Sequence, residues 1–159
     1  MKRLSNLFAA LVFASLVVFM SCGGGDDPPA PTVEELAAED LLGKTWSVNA
    51  SSITYDGNVP DGNWNDFNLT FTGSATGGSY TATGVPSDDG FQNVWPSSGS
   101  WTFISNGTSV TGISRSDGIE MTGTISESAL TLTFTVPDPS TGRTAGLYDA
   151  PWSFSFAVQ

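Results

Sequence analysis

Few of the 159 residues could act chemically on a substrate: His is absent, and Cys22 is the single Cys. Without an imidazole there is no Ser-His-Asp or Cys-His nucleophile system and no His-based zinc site. Paired carboxylates remain, because a glycosidase needs only two acids at a fixed separation. Of the 16 acids, Asp26 and Asp27 follow Cys22 closely, and Glu34, Glu35, Glu39 and Asp40 share one short helical pattern. Glu120 alternates out of phase with Met121, and the others stand in turn sequences. None interrupts an apolar stripe, where burial would raise a carboxyl pKa toward that of a general acid. No catalytic residue is assigned. The chain reads as a non-enzymatic binding protein that needs no cofactor.

Two polar segments are better suited to binding. Asp56-Gly57-Asn58-Val59-Pro60-Asp61-Gly62-Asn63-Trp64-Asn65-Asp66 has the oxygen-rich, Gly-containing make-up of a Ca²⁺ loop, which supplies six to eight oxygen ligands. Asp56 and Asp61 lie five apart with no acid between them, so the segment reads as a turn-rich loop and no metal site is assigned. Trp64 lies in this loop, and Phe91 and Trp95 in the next, Asp88 to Pro96. Core packing explains loop aromatics less readily than strand aromatics. If the two loops meet, Trp64, Phe91 and Trp95 make an apolar lid or a sugar-stacking platform, with Asn63, Asn65, Gln92 and Asn93 as hydrogen-bonding groups. The same rings could instead fold back and plug the space beneath them. The corresponding partners are a small apolar or amphipathic molecule, or a glycan.

The elements that must position these loops follow from periodicity. Trp46 and Val48, Phe67 to Phe71, Tyr80 and Ala82, Trp101 and Phe103, Ile119 to Ile125, Leu130 to Val136 and Trp152 to Val158 each alternate with small polar residues. Period two repeated this often predicts half-buried antiparallel strands. A weaker segment at Ser109 to Ser114 brings the number to eight. Asn106-Gly107, Ser116-Asp117-Gly118 and Ser126-Glu127-Ser128 supply tight-turn chemistry, so the later strands run as a meander. Three connections are longer: Asp56 to Asp66, Gly84 to Ser98 and Pro137 to Pro151. The fold class is therefore all-β, an eight-stranded antiparallel up-and-down barrel, with a β-sandwich as the alternative. Closure favours the barrel, because it removes exposed strand edges. Nine inward aromatics (Trp46, Phe67, Phe71, Trp101, Phe103, Phe134, Trp152, Phe154 and Phe156) could fill such a barrel outright. That places a site at the mouth rather than in a deep cavity. Ahead of the strands, Thr32 and Glu35 fit a capping box, Leu36, Ala37, Leu41 and Leu42 form an apolar stripe, and Gly43 is a stop. A helix of about ten residues is too short to stand alone and must pack on the domain, at an open end of the barrel.

Residues 1–21 have another character. Lys2 and Arg3 precede an apolar run from Leu7 to Met20, interrupted only by Ser15. Fourteen residues are too few to span a bilayer, which needs about 20, and they fit the h-region of an export signal. With Ser21-Cys22 next, residues 1–21 resemble a bacterial lipoprotein signal, although Phe19 stands where Leu is usual. The resemblance implies lipidation of Cys22 and attachment to the membrane through its acyl chains. Gly23-Gly24-Gly25-Asp26-Asp27 resembles the acidic export tether of Bacteroidota surface lipoproteins, which implies display on the outer membrane facing the medium. Residues 22–31 then form a flexible tether and residues 32–159 the domain. Beyond Cys22 there are 3 basic against 16 acidic side chains, a net of −13, which argues against nucleic acid as a partner.

Leu41-Leu42-Gly43-Lys44-Thr45-Trp46 resembles the Leu-x-Gly-x-Trp opening of lipocalin-like domains in such lipoproteins, with one extra residue between Gly43 and Trp46. The resemblance implies an up-and-down barrel with Trp46 at its floor and a small apolar ligand. The basic residue that lipocalins stack over this Trp has two candidates, Arg115 and Arg143. Two other functions remain open: a surface carbohydrate-binding module using the loop tryptophans, and a structural or assembly lipoprotein whose Thr-rich face meets a protein.

Overall fold

A computed structural model describes residues 28–87, 90–137 and 148–159. Cys22, the signal, most of the tether and Arg143 lie outside the described residues. Residues 28–30, which belong to a preceding unit, have no regular secondary structure, and the domain proper runs from Pro31 to Gln159.

Its elements are α1 (Val33–Leu41), β1 (Thr45–Tyr55), β2 (Asn68–Ser74), β3 (Gly77–Thr83), α2 (Phe91–Val94), β4 (Ser98–Ser105), β5 (Val110–Arg115), β6 (Glu120–Ile125), β7 (Ala129–Thr135) and β8 (Pro151–Val158). Every strand is antiparallel to its neighbours in sequence, and β1 pairs with β8, so the sheet is a closed barrel in order β1 to β8. The barrel expected from the alternation is present, and the sandwich is not.

Rings and aliphatics point inward and hydroxyls outward. Leu130, Leu132 and Phe134 of β7 are buried between half-exposed or exposed Thr131, Thr133 and Thr135. Across the seam Thr133 faces Ser153 and Thr131 faces Ser155. This polarity is opposite to that of a transmembrane barrel, whose outer wall carries an apolar band. No helix among the described residues is long and apolar enough to cross a membrane. Eight of the nine aromatics expected inside are buried, and Phe103 is half-buried against Trp101, with ring centroids 4.9 Å apart.

β1 holds an irregularity that alternation did not reveal. Val48 faces Phe156 and Ile53 faces Phe154, so four residues of β1, Asn49 to Ser52, oppose Ser155 alone. The Ser52 hydroxyl fastens the outpouching by donating to the carbonyls of Asn49 (2.6 Å) and Ser155 (2.9 Å). Three surplus residues, an odd number, swap the inward phase from Trp46 and Val48 to Ile53 and Tyr55.

α1 spans one end of the barrel, lying against β2 on one side and β4, β5 and β6 on the others. Its start is the expected capping box: the Glu35 amide donates to Thr32 Oγ1 (3.2 Å), and the Thr32 amide to Glu35 Oε2 (2.7 Å). The buried face consists of Ala38 and Leu41, not the whole expected stripe, and Leu36 stays 49% exposed. A nine-residue helix laid across an opening buries only the line facing it. Trp46 lies at this closed end, fully buried, with its Nε1–H donating to the Leu41 carbonyl (3.0 Å). Lys44 Nζ lies 5.7 Å from the centre of the Trp46 ring and donates to the Glu127 carbonyl (2.8 Å). Among the described residues the cation over this Trp is thus Lys44, a residue not considered from sequence.

Candidate functional site

With α1 closing one end, the connections after β1 and β3 lie at the other, together with the β5–β6 turn and the described ends of the connection after β7. The loop between β1 and β2 carries Trp64 inward, and its Nε1–H donates to the Asp61 carbonyl (3.2 Å). The loop between β3 and β4 begins at Gly84, whose φ of +70° and close approach to the Asp66 carbonyl leave no room for a Cβ. It then forms α2, a single helical turn that sequence periodicity could not signal. α2 buries Phe91 and Val94, and its C-cap Trp95 is buried beside them.

Trp64, Phe91 and Trp95 are 1%, 2% and 0% exposed. Trp64 meets Phe91 edge-on at 5.1 Å and Phe154 at 5.5 Å. Trp95 meets Phe134 at 5.5 Å, Phe67 at 5.6 Å and Phe154 at 5.7 Å. Of the two arrangements open from sequence, the rings adopt the plug: they are one aromatic cluster with the barrel interior and offer no platform to solvent. The reason is energetic, since three large rings hidden from water and packed edge to face stabilise the mouth far more than three exposed ones.

The polar residues divide. Asn63 and Asn65 are exposed and serve their own loop, the Asn65 amide donating to Asn63 Oδ1 (3.2 Å). Gln92 and Asn93 are exposed on α2, and Asn93 Nδ2 donates to Tyr148 Oη (2.9 Å). Beside α2 lies a groove of about 600 Å³ lined by Ala82, Gly84, Val85, Gln92, Asn93, Trp95, Pro96 and Ser97. Of the residues expected to bind, the structure therefore brings Gln92, Asn93 and Trp95 to one cavity and leaves Asn63, Trp64 and Phe91 off its wall.

A buried cation fixes this wall. Arg115, at the end of β5, is the one charged residue buried among the described residues. Its guanidinium stacks on Trp95 (5.2 Å) and Phe134 (5.7 Å), and Nη1 donates to the Val94 carbonyl (2.7 Å). Nε and Nη2 bind both carboxylate oxygens of Asp117 across the β5–β6 turn, Nε at 3.1 Å. Arg115 therefore works at the mouth, not over Trp46 as the lipocalin resemblance allowed. Its signal in the sequence was Arg115-x-Asp117 straddling a tight turn, a spacing that sets both side chains on one side of a hairpin end.

The charges here do not suit acid catalysis. Burial pushes the Asp117 carboxyl up, but the hydrogen bonds and charge of Arg115, with the Ile119 amide, outweigh it and leave the pKa lowered. The other displaced carboxyl, Glu34 on α1, is lowered by the Ser105 hydroxyl. Both move away from the range of a general acid. Burial and the charges of Asp56 and Asp149 raise the Tyr55 phenol, which donates to the Tyr148 carbonyl (2.7 Å). Among the described residues no three His, Cys, Asp or Glu side chains gather as a metal site. No family model, curated protein or solved structure matches this chain.

Proposed function

We propose that this chain is a lipid-anchored, non-enzymatic lipoprotein whose lipocalin-like barrel binds a small apolar or amphipathic molecule. The observation that carries the reading is the groove of about 600 Å³ beside α2. A volume of this size is within the range of small-molecule sites, and its lining joins Val85 and Pro96 to the polar Gln92, Asn93 and Ser97. The aromatic filling of the barrel supports a site at the mouth and speaks against a ligand in the interior. The groove is at the end of the barrel opposite α1.

The neutral probe N-phenyl-1-naphthylamine tests the site. Its emission should rise saturably with one probe per chain, and Val85→Glu, which sets a charge in the groove wall, should weaken binding at least tenfold. Binding that Val85→Glu leaves unchanged would remove the groove from consideration. For the anchor, cells fed an alkyne-tagged fatty acid should label the protein, and Cys22→Ser should lose the label and leave the membrane fraction. A labelled Cys22→Ser variant would overturn the assignment of the anchor.

A further inference from the structure

We propose that Asn106-Gly107, at the tip of the β4–β5 hairpin, is a self-modification site: the Asn106 amide is lost as ammonia, the backbone is re-routed through its side-chain carbonyl, and the tie between this hairpin and α1 loosens. The site is independent of the groove. Asn106 is the one Asn of the chain followed by Gly, so no Cβ shields the next backbone nitrogen from its side chain. Residues 105–109 are all exposed, and Gly107, with φ +85°, has open space around it. Four donors converge on Asn106 Oδ1: the amides of Thr108 (3.0 Å) and Ser109 (2.9 Å) and the hydroxyls of Thr108 (2.8 Å) and Ser109 (3.3 Å). The Asn106 side chain thus closes the turn, beside one backbone bond from its own amide to the Ser109 carbonyl (3.1 Å). Among the described residues the Gly107 amide and Asn106 Nδ2 have no hydrogen-bond partner.

The Gly107 amide gives its proton to solvent hydroxide, and its nitrogen attacks Asn106 Cγ to form a tetrahedral intermediate. The negative charge of that intermediate rests on Oδ1, where the four donors stabilise it as an oxyanion hole does. The Cγ–Nδ2 bond then breaks, Nδ2 takes a proton from water and leaves as ammonia, and a cyclic imide remains. Water opens the imide at Cγ to give Asp, or at the Asn106 main-chain carbonyl to give an isoaspartyl link. The net change is hydrolysis of one amide, so water is the only co-reactant. Other Asn residues lack the combination. Asn58, Asn68 and Asn93 commit Nδ2 to the Asp56 carbonyl (3.0 Å), the Asp66 carbonyl (2.8 Å) and Tyr148 Oη (2.9 Å). Asn49 and Asn63 also accept at Oδ1, but Ala50 and Trp64 follow them, and a Cβ there crowds the attacking nitrogen. An isoaspartyl link adds a methylene to the backbone and a carboxylate beside Ser105, whose hydroxyl donates to the Glu34 carboxylate of α1. Displacement of Ser105 and repulsion between the two carboxylates both weaken that tie.

The test is peptide mapping by mass spectrometry of the full-length folded protein held in mildly alkaline buffer, beside the same chain unfolded in guanidinium chloride. In the folded protein Asn106 should lose its amide before any other Asn and no more slowly than in the unfolded chain. Isoaspartate, detected with an isoaspartyl methyltransferase, should be the major product. Thr108→Val, which removes one donor to Oδ1, should slow the loss about fivefold, the worth of one hydrogen bond in the transition state. Hydrogen exchange of the aged protein should then show the α1 amides exchanging several-fold faster, with those of β7 and β8 unchanged. Asn106→Asp, which adds the charge without the methylene, should fall between fresh and aged protein. Loss at another Asn first, or a slower loss in the folded protein than in the unfolded chain, would overturn the site. An unchanged rate in Thr108→Val would overturn the role of the donors, and unchanged α1 exchange after ageing would overturn the link to the helix.

Discussion

Asp117→Ala should destabilise the domain more than Arg115→Met, although the two remove opposite halves of one ion pair. Removing the carboxylate leaves a guanidinium with no exposed side-chain surface facing only Trp95, Phe134 and one carbonyl. An uncompensated buried charge costs about 3–5 kcal/mol, and since Asp117 is 40% exposed and partly served by water, about 2–4 kcal/mol is expected. Arg115→Met removes the charge together with its need for a partner and keeps an unbranched apolar body against Trp95. Its main loss is the bond to the Val94 carbonyl, about 1–2 kcal/mol. Urea unfolding of the two single variants and the double variant would measure this, with the double variant close to Arg115→Met alone. The reverse order would mean that the pair holds the mouth by packing and not by charge. Because the folded pKa of Asp117 is depressed, its contribution is present above the unfolded carboxylate value of about 4. It is lost as the pH falls below that value, through the folded pKa, and Asp117→Ala should flatten this part of the stability curve.

Phe154→Ala should cost about 3–5 kcal/mol, the range for a buried Phe whose surroundings collapse only in part. Phe154 touches Trp64, Phe67, Trp95, Phe134, Trp152 and Phe156, all with ring centroids within 6.0 Å. Those neighbours come from β7, from β8 itself and from the connections after β1 and β3, so they cannot all move into the gap. The remaining cavity is apolar and stays dry, which makes it a binder of benzene-sized molecules. Benzene should raise the melting temperature of Phe154→Ala and leave the wild type unchanged. A loss below about 1 kcal/mol would show that the interior repacks freely.

Much of this fold was legible because its wall is half-buried throughout. Phe67, Leu69 and Phe71, or Leu130, Leu132 and Phe134, mark the inner face one residue in two, and hairpin turns mark the ends. The second half of β1 was not legible. Asn49 to Ser52 shift the phase by an odd number of residues, so Ile53 and Tyr55 fall out of step with Trp46 and Val48. α2 was invisible for another reason: one helical turn has no period, and it exists because Phe91, Val94 and Trp95 are drawn under cover. The site was half legible. Residue type singled out Asn93 and Trp95, but whether a loop ring faces water or the interior is decided by what lies beneath it. That depends on Phe154 and Phe67, far away in sequence. The Leu36 expectation failed because a hydrophobic stripe names the residues able to be buried and not the width of the surface that receives them.

The seam between β1 and β8 joins the first strand of the barrel to the last. A chain made from its amino end has seven strands in hand before the partner of the first exists. Until residues 151–158 emerge, Trp46, Val48 and Ile53 line an open edge. Closure is therefore the final step that synthesis permits, and the slow one, since loop-closure entropy must be overcome across nearly the whole domain. The nascent form is a curved sheet with a wet aromatic face, the state in which this sequence is most exposed to wrong partners.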